Sequence, residues 1–245
     1  MSVIEYHPPT DPWLEIVYQD EHILTVNKPA GLLSNPGKHP DHYDSVWSRV
    51  IAEFPEAQLV HRLDMATSGL MVFALHKEAE RHIKKQFQYR LTHKVYYARV
   101  WGRVEQQQGE IDLPLICDWP NRPKQKVCYE HGKQSQTRYE VIAYEDQTTL
   151  VRLLPVTGRS HQLRVHMMAL GHPIVGDEFY ACEASRAFSE RLQLHSAELS
   201  LYHPHSNQLT HLFVPCDFYP EARGDVLPAI ERPVELPDYK LLVSS

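Results

Sequence analysis

Six consecutive apolar residues, Leu70 to Leu75, constrain the fold more than any other stretch of this sequence. The run is too short for an ordinary buried helix and far below the roughly 18 residues that a membrane span needs. Directly after it, Lys77 to Tyr89 carries Ala79, Ile83 and Phe87 at helical spacing. The run is therefore predicted to be a strand buried on both faces, followed by an amphipathic helix that covers one of them.

Strand patterns also occur in residues 15–28, where a polar turn at 19–21 separates two short strands. Others follow at residues 95–101, 139–144, 149–154, 192–201 and 209–214. Helical patterns are too few and irregular for repeating βαβ units. The predicted fold class is therefore α+β, with a large mixed or antiparallel sheet flanked by helices and loops.

Two further helices are predicted. Asp44 is expected to cap a helix that Pro55 stops, and Ser160 to Leu170 is expected to form a helix ended by Gly171. Helical spacing divides the second helix into a face that packs on the sheet and a face that can reach the loop before the buried strand. The first face carries Leu163, Met167 and Leu170, and the second carries His161, Arg164 and Met168.

Composition limits the class of protein. With 245 residues that are 42% hydrophobic, the chain is predicted to be globular, and without an apolar span or a signal-like start it is predicted to be cytoplasmic. After Phe218 the composition becomes rich in proline and acidic residues. We therefore expect one folded domain over residues 1–218 and an extended tail over residues 219–245.

The cysteines and histidines give no pattern typical of a metal site. The four cysteines are irregularly spaced without a CxxC pair, which favours reduced thiols over disulfides or zinc. Among the 16 histidines, His161 and His166 are five residues apart, whereas two ligands on one helical face need a spacing of four. No metal is expected.

Positive charge is unevenly distributed in a chain whose formal net charge is -6. Residues 81–103 contain seven Lys or Arg and no acid, and residues 120–138 contain five more, among them Lys124 and Lys126, against Glu130 alone. A solvated face is the ordinary interpretation of such runs. Acid-free stretches in an acidic chain nevertheless favour a segregated basic surface suited to phosphates.

The sequence HRLDMATSGL places Asp64 on the loop that enters the buried strand. Its nearest acidic neighbours are Glu56 and Glu78, so no local carboxylate pair indicates a glycosidase, although a distant partner stays open. The chain has no GxSxG, Walker or GxGxxG motif. Asp64 is either a reactive group or a turn residue bonded to Thr67 and Ser68.

Four segments together resemble the RluA family of RNA pseudouridine synthases. They are VNKPAGLLSNPG, HRLDMATSGL, KVYYARVWG and TGRSHQLRVHMMALGHPIVGD, in this order between residues 26 and 177. DLPLICDWPNRPKQKVCYE further resembles the family's small member, which acts on both 23S ribosomal RNA and transfer RNA. The resemblance implies the pseudouridine synthase fold, with an active-site cleft across the sheet, and no S4-type RNA-binding domain is expected before the core.

The resemblance also implies roles for individual residues in turning uridine into pseudouridine. Asp64 matches the catalytic aspartate, which could add to the base, attack C1′ or take the 2′ proton, and Arg164 matches the arginine that pairs with it. Tyr96 matches the pocket tyrosine, and Arg62 matches the arginine that fills the gap left by the flipped nucleotide. Leu163 of the same helix as Arg164 is expected to contact substrate.

The implied reaction needs no cofactor, and the implied partners are stem-loops of 23S ribosomal RNA and transfer RNA. Lys124 and Lys126 are expected to contact phosphates of such a stem-loop. A monomer without a required protein partner is expected. Two other functions stay open at this point, a hydrolase that releases free uracil and a noncatalytic RNA-binding protein.

Overall fold

The computed structural model describes residues 5–222, and a ten-stranded mixed sheet forms their centre. Its strands are β1 (Glu15–Gln19), β2 (Ile23–Lys28), β3 (Gln58–Leu59), β4 (Ser68–Ala74), β5 (His93–Trp101), β6 (Gln108–Asp112), β9 (Gln136–Tyr144), β10 (Thr148–Pro155), β11 (Leu194–Tyr202) and β12 (Leu209–Phe213). A separate hairpin consists of β7 (Leu115–Cys117) and β8 (Gln125–Val127). The helices are α1 (Val46–Glu53), α2 (Lys77–Gln88), α3 (Gln162–Ala169) and α4 (Glu183–Ala187).

The main path of the sheet runs β1-β2-β4-β11-β5-β10-β9-β6, while β3 pairs with β4 and β12 with β11. β4 and β11 run parallel, and the other pairs are antiparallel. The predicted α+β class with a large mixed sheet is confirmed. β4 is buried at every residue, as its unbroken apolar sequence predicted.

Helices cover parts of the sheet and form its hydrophobic cores. α2 packs Ala79 and Ile83 against β4 and β11, and α1 packs Val46 and Val50 against β2 and β4. α3 contributes Leu163 and Met167 to the core beneath β5 and β10. No helix within residues 5–222 is both long enough and apolar enough to cross a membrane.

Three local predictions need correction. Ser45 rather than Asp44 caps α1: its hydroxyl accepts from the Ser48 N–H, while Asp44 instead binds Arg49 through two hydrogen bonds. α3 begins two residues later than predicted, because His161 has a left-handed backbone with φ of 54°. Leu170 is 37% exposed at the end of α3 and does not join the core, because the helix has ended there.

The predicted tail falls partly outside the described residues, from residue 223 onward. Two of the residues before that point, Tyr219 and Ala222, still pack on the domain. The ring of Tyr219 meets that of Tyr97 edge to face at 5.1 Å, and Ala222 is buried. The chain therefore remains in contact with the core through Ala222.

Candidate active site

Two segments hold the loop that carries Asp64. The buried ammonium of Lys28 donates to the carbonyl oxygen of Met65 at 2.9 Å, and burial lowers the pKa of Lys28 to about 7 while Asp64 acts in the opposite direction. The hydroxyl of Ser34 donates to the Leu63 carbonyl oxygen at 2.6 Å and accepts from the Leu63 N–H at 3.0 Å. The loop is therefore fixed on both sides of Asp64.

The turn after Asp64 is closed by the backbone. The N–H of Thr67 donates to the carbonyl oxygen of Asp64 at 3.1 Å, so this contact does not use the carboxylate. Gly69 follows with φ of +109°, and a β-carbon there would lie 2.2 Å from the Ser196 carbonyl oxygen. Glycine is required at this position, because β4 passes so close to β11.

Asp64 lies in an open cleft of about 110 Å³, here called the central cleft. Its lining comes from the Asp64 loop, β5, the end of β10, the loop before α3, α3 and the start of β11. The residues are Arg62, Leu63, Asp64, Thr67, Lys94, Tyr96, Pro155, Thr157, Gly158, Arg159, His161, Gln162, Leu163, Arg164 and Leu194. Asp64, whose side chain is 27% exposed, is the only carboxylate in this lining.

Arg164 has two carboxylate partners. Its Nε and Nη2 atoms donate to the two oxygens of Asp177 at 2.7 Å each, and its Nη1 atom lies 3.5 Å from Oδ2 of Asp64. The carboxylate of Asp177 is fully buried and also accepts from the N–H of Phe179 and of Tyr180. Burial disfavours the charge of Arg164, but Asp177 and then Asp64 outweigh it and raise the pKa of Arg164.

The predicted pairing of Arg164 with Asp64 is thus only part of the arrangement, because the shorter contacts go to Asp177. Sequence reasoning missed this residue, although it ends the segment TGRSHQLRVHMMALGHPIVGD. Between Asp146 and Asp177 the chain has no other acid. A buried arginine needs a carboxylate partner. Asp177 is the one acid of this motif, and this could have identified it as the partner of Arg164.

His161 forms a second polar link at the cleft. Its Nδ1 atom lies 2.7 Å from the Tyr180 hydroxyl, which accepts from the N–H of Gln125 at 2.7 Å, and its Nε2 atom lies 3.9 Å from Oδ2 of Asp64. Since the N–H of Gln125 is a donor, the Tyr180 O–H is free to donate to Nδ1, which leaves a hydrogen on Nε2. Burial lowers the pKa of His161, so the ring favours this neutral form.

Tyr96 and Tyr97 point to opposite faces of β5, as strand alternation predicted. Tyr96 lines the central cleft, and burial raises the pKa of its hydroxyl to about 12, with the nearby Ser196 hydroxyl offsetting part of the effect. Tyr97 is 6% exposed and packs with Ala197 and Cys216 on the other face. The Tyr96 phenol is therefore protonated at neutral pH and can donate a hydrogen bond.

The remaining predicted residues divide into two groups. Arg62 is exposed at the cleft with Nη2 3.4 Å from the Ser160 hydroxyl, and Leu163 lines the cleft from α3. Lys124 and Lys126 lie outside the lining, on the hairpin of β7 and β8. Lys126 is 3.2 Å from Oδ1 of Asp118. The structure thus brings Asp64, Tyr96, Arg164, Arg62 and Leu163 together and leaves the two lysines apart.

The basic stretches of the sequence contain few acids, but in the structure glutamates from neighbouring strands lie beside their side chains. β6 and β9 place Glu110 beside Arg138 and Glu140 beside Arg152, and the loop after β9 places Glu145 beside Arg99. The expected segregated basic surface is therefore reduced, because neighbouring strands supply glutamates across the sheet. Among the described residues, no group of three or more His, Cys, Asp or Glu is arranged to hold a metal ion.

Comparisons with known proteins agree on one class. The family described as RNA pseudouridylate synthase matches residues 22–169. The dual-specificity RNA pseudouridine synthase RluA of Vibrio parahaemolyticus is 65% identical over 247 residues, which cover 99% of both chains, and that of Escherichia coli is 58% identical over 220 residues, 89% of this chain and 100% of its own. The solved structure of human RNA pseudouridylate synthase domain containing 1 has a TM-score of 0.74 at 29% identity, covering 88% of each chain.

These proteins match the chain over most of its length, and all of them are named as enzymes that modify RNA by isomerising uridine. The chain belongs to the RNA pseudouridylate synthase family. It converts uridine to pseudouridine in RNA, and the predicted resemblance to RluA is confirmed.

Proposed function

We propose that Asp64 is the catalytic carboxylate of this isomerisation. The observation that carries the proposal is that Asp64 is the only acid in the lining of the central cleft and has a guanidinium nitrogen 3.5 Å from it. The reaction breaks the N1–C1′ bond, joins C5 to C1′ and moves the proton of C5 to N1. Since uridine and pseudouridine are isomers, the reaction balances in atoms and electrons without a cofactor.

The neighbouring residues support this chemistry. Arg164 keeps a positive charge next to Asp64, and Asp177 fixes its guanidinium plane through the bidentate contact. The ring of Tyr96 is available to stack on the uracil, with a protonated hydroxyl as donor. Leu163 closes the apolar side of the cleft, and the exposed Arg62 takes the gap left by the flipped nucleotide.

For the substrate, we propose stem-loops of 23S ribosomal RNA and of transfer RNA, with Lys124 and Lys126 at RNA phosphates. The support is the dual-specificity name of relatives that are up to 66% identical over the whole chain. We further propose that the enzyme acts in the cytoplasm as a monomer without a required protein partner.

The test is incubation of the purified protein with unmodified transfer RNA and 23S transcripts, followed by mapping of pseudouridine at single-nucleotide resolution. Pseudouridine at discrete positions in both RNAs, absent with Asp64→Asn, is expected. Modification of only one RNA class would contradict the dual substrate, and release of free uracil would favour a hydrolase.

We also propose that residues 1–218 form the catalytic domain and residues 219–245 a tail that catalysis does not need. The Escherichia coli relative aligns over its full length while covering 89% of this chain. Because Tyr219 and Ala222 pack on the core, the chain should be truncated after Ala222. The truncated protein is expected to keep its activity and Tm, and loss of activity at unchanged Tm would contradict the proposal.

A further inference from the structure

Lys94 lies in the central cleft without having been assigned any role. It precedes Tyr96 by two residues on β5, so both side chains project from the same face of the strand. Its ammonium nitrogen would lie 3.9 Å from a β-carbon on Gly158, which places it against the loop before α3. Lys94 and Gly158 both belong to the cleft lining.

Within residues 5–222, the ammonium of Lys94 makes no ion pair and no hydrogen bond. Other lysines do have carboxylate partners. Lys77 and Lys84 both bind Glu80, and Lys126 binds Asp118. A half-buried ammonium without an anion is costly, so a ligand anion is the natural partner that it lacks.

The charged groups that act on Lys94 supply no such anion, because the Asp64 carboxylate of the same cleft acts on Lys28, His161 and Arg164 instead. Arg90 is the charged neighbour that acts on it, and Lys94 in turn acts on His61 and His93. Arg159 adjoins Gly158 on the opposite loop. Burial, with Arg90 adding to it, lowers the pKa of Lys94 to about 8, and a bound anion would raise it again.

We propose that Lys94, with Arg159 at the rim, binds a phosphodiester of the RNA next to the flipped uridine. The inference rests on the proposed entry of the uridine beside Tyr96. Two residues of a strand span about 6.6 Å, which suits a base stacked at Tyr96 and its own backbone phosphate at Lys94. Phosphate is the anionic group of RNA, and a lysine ammonium binds it as a point charge.

The experiment uses synthetic stem-loops in which one phosphate at a time near the target uridine is replaced by a neutral methylphosphonate. KM and kcat are measured for the wild type, Lys94→Met, Lys94→Arg and, as a matched surface control, Lys77→Met. In the wild type, one methylphosphonate position is expected to raise KM about tenfold, the loss of one charged contact. Lys94→Met should have the raised KM with every substrate, because the charged contact is already lost. The methylphosphonate at that position should therefore raise its KM no further, and its kcat should change little.

Lys94→Arg and the pH dependence keep the test valid if Lys94→Met folds poorly. The KM of the wild type should rise above about pH 8 as the Lys94 ammonium loses its proton, whereas Lys94→Arg, which stays charged, should lack this rise. The assignment is overturned if Lys94→Met keeps the wild-type methylphosphonate pattern, or if Lys94→Arg and the wild type share one pH profile. Failure of the proposed catalytic roles would be seen separately, as turnover retained by Asp64→Asn.

Discussion

The centre of the cleft and the hairpin of β7 and β8 differ in how they hold charge. At the centre, Arg164 and Asp177 have side chains that are 4% and 0% exposed, and two hydrogen bonds of 2.7 Å fix their geometry. On the hairpin, Lys126 is 55% exposed, and Trp119 and Tyr129 beside it are 65% and 77% exposed. Buried charges can fix a reacting group, while exposed charges and rings can only attract and stack.

We therefore expect the chemistry proposed for Asp64 and the RNA contacts proposed for Lys124 and Lys126 to be separable. The hairpin is tied to the cleft through the Gln125 N–H, which reaches Tyr180 and then His161. This link uses a backbone group and is independent of the lysine side chains. Variants at Asp64, Tyr96 and Arg164 should therefore change turnover, and variants at Lys124 and Lys126 should change affinity and its salt dependence.

The largest effect is expected for Asp64→Asn. The substitution keeps the shape of the side chain but removes the charge, so single-turnover rates should fall by roughly 10³ or more while RNA affinity changes little. The rate is read from tritium released from C5 of uridine at saturating enzyme. Asp146→Asn, at an exposed turn, is the control and should leave the rate unchanged.

Asp177→Asn should lower both stability and turnover. It leaves the buried guanidinium of Arg164 without its main partner, and breaking a buried pair costs about 3 to 5 kcal/mol. Urea unfolding measures the loss, and Arg164→Met should reduce turnover in part as well. An unchanged free energy of unfolding in Asp177→Asn would mean that the ion pair is not what holds Arg164.

The adjacent tyrosines should separate stability from activity. Tyr97→Ala removes a buried ring and should cost about 3 kcal/mol of unfolding free energy. Tyr96→Phe should leave the Tm nearly unchanged and slow turnover about tenfold, since it removes one hydrogen-bond donor from the cleft. If Tyr96→Phe is fully active, the Tyr96 hydroxyl has no chemical role, and only its ring can contribute by stacking on the uracil.

The smallest effect is expected on the hairpin. Replacing Lys124 and Lys126 together with glutamine should weaken RNA binding several-fold and flatten the salt dependence of log K by roughly 0.7 per lost phosphate contact. Lys126 should contribute less than Lys124, because Asp118 already neutralises part of its charge. Binding measured across a salt series checks this, with Lys77→Gln as the control. Unchanged affinity and slope would put the RNA on another face.

Most strands of the sheet were predictable from sequence because they carry an apolar pattern of their own, whereas β3 and β6 lack such a pattern and were not predicted. Residues 70–74 are buried as their apolar run predicted, and Tyr96 and Tyr97 must face opposite ways on any strand. The start of α3 was not predictable, because a left-handed histidine at 161 leaves no compositional signal. The glutamates beside the basic strands depend on contacts across the fold, which sequence spacing does not encode.

The separation of chemistry at Asp64 from RNA binding at Lys124 and Lys126 can be measured on one target stem-loop. The single-turnover rate at saturating enzyme and the Kd across a salt series are measured for Asp64→Asn and for the double variant at Lys124 and Lys126. Asp64→Asn is expected to lose its single-turnover rate while keeping the wild-type Kd and salt dependence. The double variant is expected to bind more weakly, with a flatter salt dependence, while keeping the wild-type rate at saturating enzyme. Near-normal tritium release from Asp64→Asn, or rate and affinity falling together in both proteins, would contradict the separation.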